Sequence, residues 1–213
     1  MYHAAEHSDM EKLFWGWNEA LPIQRATAFF YYSGSNREIL MQLKYKRNPD
    51  IGFYLASQFA KEIKDSNFFD GIDVIIPIPL NWIRRMKRGY NQSEYIARGI
   101  SYVTGIPVYT KAVKRVRNNK SQTRMKHHER YDNVQNLFRL VHPEFIEGKH
   151  VLLVDDVTTT GATITSCAKE IAKAKNTKIT VLTIAIAGQS VVPQNDSPQM
   201  PYISLSKEQI SRL

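Results

Sequence analysis

The chain has 213 residues, the natural size of one α/β domain with an appendage. Its 43% hydrophobic and 23% charged residues are those of an ordinary soluble globular protein, and the excess of 29 Lys+Arg over 20 Asp+Glu gives a net charge of +9. That excess suits anionic partners, polyphosphate or nucleic acid, and suits a plain basic surface equally well. Cys167 is the only cysteine, which excludes a disulfide framework within the chain and a cysteine-based zinc site. It falls three residues after Ile164 and four before Ile171, the spacing of a small core residue. The N-terminus, with Glu6, Asp9, Glu11 and Lys12, has no apolar signal-peptide core, and the apolar run Val181 to Ala187 is too short to cross a bilayer. A cytoplasmic protein with no membrane partner is expected.

In chain order, residues 1–21 are poorly patterned apart from an apolar cluster at Leu13, Phe14, Trp15 and Trp17. Arg25 to Tyr32 reads as a strand. Ile39, Leu40 and Leu43 recur at helical spacing and run into Leu43-Lys44-Tyr45-Lys46. Pro49 and Asp50 then open a helix with Phe53, Leu55, Phe59, Ala60 and Ile63 apolar, proline being favourable just inside a helix start. Ile72 to Ile78 reads as a strand stopped by prolines. Arg84, Arg85, Lys87 and Arg88 follow, then Gly89 to Glu94, then a helix with Ile96, Ala97, Ile100 and Val103 on one face. Arginines beside a turn suit a pyrophosphate, which a guanidinium binds bidentately, although the same cluster suits a solvated surface. Residues 106–116 read as a short strand, 118–123 as a polar connection, 124–133 as a basic helix with His127 and His128 exposed, and 138–141 as a strand.

Val151 to Val154 reads as a strand buried on both faces, closed by Asp155 and Asp156. In open α/β sheets ligands bind beyond the carboxyl ends of such strands. The next residues, Val157, Thr158, Thr159, Thr160, Gly161, Ala162 and Thr163, form a turn into a helix reading Ala162 to Ala174. The glycine admits unusual dihedrals and close approach. The amides of Thr158 to Ala162, at a helix N-terminus, favour an anion, and the threonine hydroxyls add donors. Ionised acids only accept hydrogen bonds, so Asp155 and Asp156 suit vicinal hydroxyls or a hydrated Mg²⁺. A phosphate on one side and a diol on the other describes a ribose 5-phosphate. An ordinary strand-to-helix turn remains the plain alternative. The acidic pair of a response-regulator receiver would stand early in its domain, and no Walker lysine follows the glycine. Lys178 to Ala187 is a further buried strand. Pro193, Pro198 and Pro201 interrupt the tail.

The acidic pair and threonine turn resemble the phosphoribosyl-pyrophosphate (PRPP) loop of type I phosphoribosyltransferases. Pro77-x-Pro79-Leu80, Arg88-Gly89-Tyr90-Asn91-Gln92-Ser93-Glu94, Leu43-Lys44-Tyr45, Arg115-x-Arg117, Gln122-Thr123, Arg130 and Asn133, in that company, resemble the competence-associated ComF/GntX group over nearly the whole chain. The resemblance implies an α/β type I phosphoribosyltransferase fold, with a mainly parallel central sheet flanked by helices. It also implies a small N-terminal hood, with divisions at residues 1–65, 66–190 and an extended tail at 191–213. It implies PRPP binding with Mg²⁺, held by Asp155 and Asp156 through water or the ribose, as the catalytic pair. Residues 157–163 would take the 5-phosphate, and Ile78, Pro79, Leu80, Arg84 and Arg88 the pyrophosphate. A flexible loop carrying Arg115, Arg117, Lys120, Gln122 and Thr123 would close over the sugar. Lys120 stands where members often have a small hydroxyl residue. Many members carry a four-cysteine N-terminal zinc ribbon; this sequence holds none, either trimmed or absent from its lineage, so nothing the ribbon contributes carries over.

Two functions of different class follow. One is transfer of the phosphoribosyl group to an amine or nucleobase nitrogen, serving competence or nucleotide metabolism. The other is a non-catalytic PRPP or nucleotide sensor that binds single-stranded DNA or a DNA-processing helicase.

Overall fold

The computed structural model describes residues 10, 14, 22–31, 40–44, 48–117 and 137–187. Four parallel strands form its main sheet: β1 (Ile23–Tyr31), β2 (Val74–Pro77), β5 (His150–Thr158) and β6 (Lys178–Ile186), in the order β1-β6-β5-β2. Two short strands, β3 (Val113–Arg115) and β4 (Phe138–Leu140), pair antiparallel in a separate ladder. The helices are α1 (Asp50–Ile63), α2 (Trp82–Arg88), α3 (Gln92–Thr104) and α4 (Ala162–Ile171), and residues 40–44 are helical as well.

The two central strands are buried on both sides, and alternate residues serve opposite layers. Val151 and Leu153 of β5 pack with Ile164, Cys167, Ala168 and Ile171 of α4 and with Val113 and Phe138 of the β3–β4 ladder. Leu152 and Val154 pack with Leu55, Phe59, Ile96 and Ile100 of α1 and α3 and with Leu40 and Leu43. The α1–α3 crossing is close because Gly99 faces the Phe53 carbonyl; an ideal Cβ there would stand 2.3 Å from that oxygen. The ladder is tied to α4 by Glu170, whose Oε2 accepts from the Leu140 amide at 3.2 Å.

The structure departs from expectation in three places, one being the strand expected over residues 106–116, of which only Val113–Arg115 is strand, with an isolated bridge between Val108 and Ile75. The first strand, expected within a hood ending at residue 65, is the edge of the main sheet and pairs with β6 from Ile23 to Tyr31. Its mixed apolar and small residues fit an edge that is only partly covered. The strand expected to end at Val154 runs on to Thr158, since Asp155, Val157 and Thr158 hold register with Thr183, Ala185 and Ile186 of β6. Pairing with a neighbour carries the backbone past the acids, whatever their low strand propensity. The expected helix at 124–133 and the tail from 191 lie outside the described residues. Among the described residues, no helix is long and apolar enough to cross a membrane.

His150, at the start of β5, is buried, with Nε2 2.8 Å from Thr180 Oγ1. Burial, then the charges of Arg25 and Lys178, hold its imidazole below the ordinary histidine range. The unfolded chain therefore takes up this proton first as pH falls. His150's contribution to stability is complete above about pH 6.5 and is lost as pH drops through its folded value. An NMR titration is expected to find His150 as a low-titrating ring.

Candidate functional site

At the carboxyl end of β2 and β5 lies a cleft of about 250 Å³, lined by Lys44, Ile78, Pro79, Leu80, Arg84, Arg88, Asn91, Gln92, Ser93, Arg115, Asp155, Asp156, Val157 and Thr163. Each wall has a local cause. Pro77 ends β2, and Asn91 Nδ2 donates to the Ile78 carbonyl at 3.0 Å, fixing the Ile78–Leu80 turn against the start of α3. Asn81 caps α2 by accepting from the amides of Ile83 and Arg84, which aims that helix along the rim. One helical turn separates Arg84 from Arg88, so both face the cleft. Arg85 instead pairs with Glu94 at 3.0 Å, joining α2 to α3.

The floor holds the acids. The strand pleat turns Asp155 to the α4 layer, toward Cys167 and Arg115, and Asp156 to the opposite layer, where Lys44 Nζ lies 3.1 Å from Oδ2. Asp155 Oδ1 accepts from Ser93 Oγ at 3.0 Å and from the Asp156 amide at 2.9 Å; Asp156 Oδ1 accepts from the Val157 amide at 2.7 Å. Burial first, and the neighbouring Asp156 second, push the Asp155 carboxyl up to about 7, against the pull of the Asp156 amide, Ser93 and Lys44. An acid so placed can donate one hydrogen bond while protonated and becomes a pure acceptor on losing its proton near neutrality.

Across from the acids stands Arg115 at the end of β3. Its guanidinium carbon is 5.3 Å from the Phe138 ring centre, and burial followed by the charge of Arg84 lowers its proton affinity. The expected 5-phosphate residues are divided. Val157 and Thr163 line the cleft; Thr159, Thr160 and Gly161 form the turn above it. Gly161 adopts φ 72°, the left-handed region where glycine is favoured, and stands at the start of α4, which no side chain caps. Ala162 is the first residue of α4 and half-buried. Thr158 departs from the expected cup: it is the last rung of β5, 2% exposed, and its carbonyl accepts from Ala187 at 2.7 Å. Arg117 is exposed and does not line the cleft. Lys120, Gln122 and Thr123 lie outside the described residues.

Lys44, Asn91, Gln92 and Ser93 join the site without having been assigned a part in it. They stand in two short motifs, Leu43-Lys44-Tyr45 and Gly89 to Glu94, and the available signal was an uncharged polar triplet at a helix start, where polar residues serve as caps. The structure links the motifs directly: Tyr90 Oη donates to the Leu43 carbonyl at 2.5 Å. Cys167 lies in the α4 layer, fully buried, and burial raises its thiol well above the ordinary cysteine range. It is expected to give no reaction with an aromatic disulfide reagent in the native protein and one equivalent after unfolding.

A parallel sheet with acids at the end of a central strand, a glycine turn into a helix, and arginines across the cleft is the architecture of a phosphoribosyltransferase-type domain. The Phosphoribosyl transferase domain model matches residues 43–200, and the chain belongs to that family. Among its curated relatives is DNA utilization protein YhgH of Salmonella typhi, 32% identical over 152 residues, which are 70% of this chain and 66% of that protein. Competence protein F of Haemophilus influenzae is 36% identical over 102 residues, 47% of this chain and 44% of that protein. The chain therefore spans less than two thirds of the length of these relatives. The ComF-type kinship and the type I phosphoribosyltransferase fold expected from the ordered motifs are both borne out. A solved structure with a similar core is the glutamine PRPP amidotransferase of Bacillus subtilis, complexed with ADP and GMP. Its TM-score is 0.45 at 21% identity, over 67% of this chain and 30% of that one.

Proposed function

We propose that this protein binds PRPP together with Mg²⁺ and transfers the phosphoribosyl group to an amine or nucleobase nitrogen, in the service of competence or nucleotide metabolism. The observation that carries the reading is the cleft itself, in which Asp155 and Asp156 face Arg84, Arg88 and Arg115 beside an uncapped helix N-terminus. Asp155 and Asp156 accept from the ribose hydroxyls. The first amides of α4, with Thr163, take the 5-phosphate. Arg84 and Arg88 take the pyrophosphate.

Among the described residues no cluster of three metal-ligating side chains exists, so the acids alone do not make a metal cage. Two carboxylates and substrate oxygens are, however, an ordinary donor set for Mg²⁺, so the residues present fit an ion that arrives with PRPP. When bound it neutralises pyrophosphate charge. In the transfer the sugar C1–O bond to pyrophosphate breaks with its electron pair leaving on oxygen. A C1–N bond forms, and the nitrogen's proton passes to solvent. The arginines stabilise the leaving charge and the acids fix the sugar, so the protein acts through position and electrostatics. Calorimetry with millimolar PRPP and Mg²⁺ tests the reading; a flat titration defeats it.

A second reading, a non-catalytic PRPP or nucleotide sensor that binds single-stranded DNA or a helicase partner, is favoured by one surface. Helix α2 exposes Trp82 (63%) and Met86 (75%) one turn apart, among Arg84, Arg85, Lys87 and Arg88. An exposed aromatic amid cations suits base stacking with backbone neutralisation. Trp82→Ala is expected to weaken single-stranded DNA binding about tenfold or more, and binding to fall steeply with added salt. Salt-independent binding would exclude this reading, and pyrophosphate release from PRPP would decide for the first.

A further inference from the structure

We infer that Gln92 is a ligand-reading residue whose side-chain amide donates to a diphosphate oxygen in the cleft. The inference rests on the PRPP reading above and adds a specificity-determining group to it. Gln92 opens α3 between Asn91 and Ser93, and all three line the cleft. The flanking side chains are committed inside the protein. Asn91 Nδ2 donates to Ile78 O at 3.0 Å and its Oδ1 accepts from the Ser93 amide at 3.3 Å, while Ser93 Oγ donates to Asp155. Gln92 is 2% exposed, and its Nε2 is buried with no hydrogen-bond partner among the described residues. A primary amide shut away from water without an acceptor is destabilising in the folded chain. Buried orphan donors of this kind are rare and are understandable where a ligand brings the acceptor.

The surroundings define that ligand's chemistry. Arg84, Arg88 and Arg115 share the cleft, and Arg115 Nε is a second buried nitrogen without a partner. The acids in the same cleft are engaged by Ser93, backbone amides and Lys44, so these nitrogen donors suit an acceptor-rich anion. The Asn91 bond to Ile78 holds Gln92 beside the Ile78–Leu80 turn, at the β2 side of the cleft rather than at the α4 N-terminus. The oxygen it meets therefore belongs to the diphosphate and not to the 5-phosphate monoester.

A donor waiting for its ligand separates stability from affinity, which a merely structural glutamine does not. Gln92→Met keeps the length and removes the donor. The ligand-free variant is expected to melt at the wild-type temperature or higher, because an unsatisfied amide has gone. Its affinity for pyrophosphate and for PRPP, each with Mg²⁺, is expected to fall about tenfold, the loss of one hydrogen bond to a charged group. Affinity for ribose 5-phosphate, which lacks the diphosphate, is expected to stay within about twofold. Calorimetry with these three ligands, alongside thermal melts, gives the answer. Equal losses for ribose 5-phosphate and PRPP, or a lower melting temperature with unchanged PRPP affinity, would overturn the inference while leaving the PRPP site intact. A wild-type protein that binds none of the three ligands would overturn the site reading itself, and this inference with it.

Discussion

Asparagine at both acids, Asp155→Asn with Asp156→Asn, is expected to weaken PRPP binding by at least about 100-fold while making the ligand-free protein more stable above neutral pH. The affinity loss follows from removing two charged acceptors, each worth roughly 1.5–3 kcal/mol in a hydrogen bond to a ligand hydroxyl. The stability gain follows from the proton balance at Asp155. Its folded value is raised to about 7, whereas an unfolded aspartate titrates near 3.9. The folded protein therefore holds this proton over a range in which the unfolded chain has released it. The stabilisation from Asp155 is complete below about pH 4 and is lost as pH rises through about 7. For this half-buried group the loss amounts to roughly 2–3 kcal/mol once solvent screening is allowed for. Urea unfolding at several pH values should show a wild-type decline between pH 4 and 8 that the double variant lacks. A double variant that keeps wild-type affinity would remove the acids from the binding site.

Gly99→Val is expected to prevent stable folding, and Gly99→Ala to lower the melting temperature by roughly 6–12 °C. The reason is a backbone contact. A Cβ at residue 99 would stand 2.3 Å from the Phe53 carbonyl oxygen and 3.1 Å from Ala56 Cβ, and neither atom lies at the end of a side chain that can swing away. Relief requires α3 to move off α1, opening the layer of Leu55, Phe59, Ile96 and Ile100. Overpacking of this kind costs about 3 kcal/mol at the upper end of its usual range, and about 2–4 °C accompanies each kcal/mol in a chain of this size. Gly52 provides the control. There the nearest obstacle is Leu43 Cδ1 at 2.9 Å, a side-chain tip that can turn aside, so Gly52→Ala should be much milder. Thermal melts of the three variants decide the matter.

The central strand and its acids were legible because their signals are local. A run of four apolar residues can be read without knowing the partner strands, and two acids followed by a threonine-glycine turn interrupt it visibly. The extent of β5 was not legible, because Asp155 to Thr158 are strand only by virtue of their register with β6, some thirty residues later in the chain. The place of β1 was hidden for the same reason: a strand does not announce which edge it will join. At the site, arginines at 84 and 88 could be assigned from charge and from the turn beside them. Lys44 could not, because only the packing of Leu43 and the Tyr90 bond to its carbonyl bring residue 44 to Asp156. Gln92 was unreadable in a different way. Its importance lies in what its amide lacks, and a missing partner has no sequence signature.

Because Asp155 and Asp156 ride on a laddered strand rather than on a loop, and their oxygens are tied to Ser93, backbone amides and Lys44, they are positioned before anything arrives. On the proposed reading, little mobility would remain to be surrendered there by a docking sugar, and equally little adjustment would be available for one of the wrong handedness. A pentose phosphate with an inverted ring hydroxyl would present its proton where no oxygen waits. If the proposed PRPP reading holds, stereochemical choosiness at the ring would be inherited from the sheet, and tolerance would reside in the parts of the cleft borne by turns.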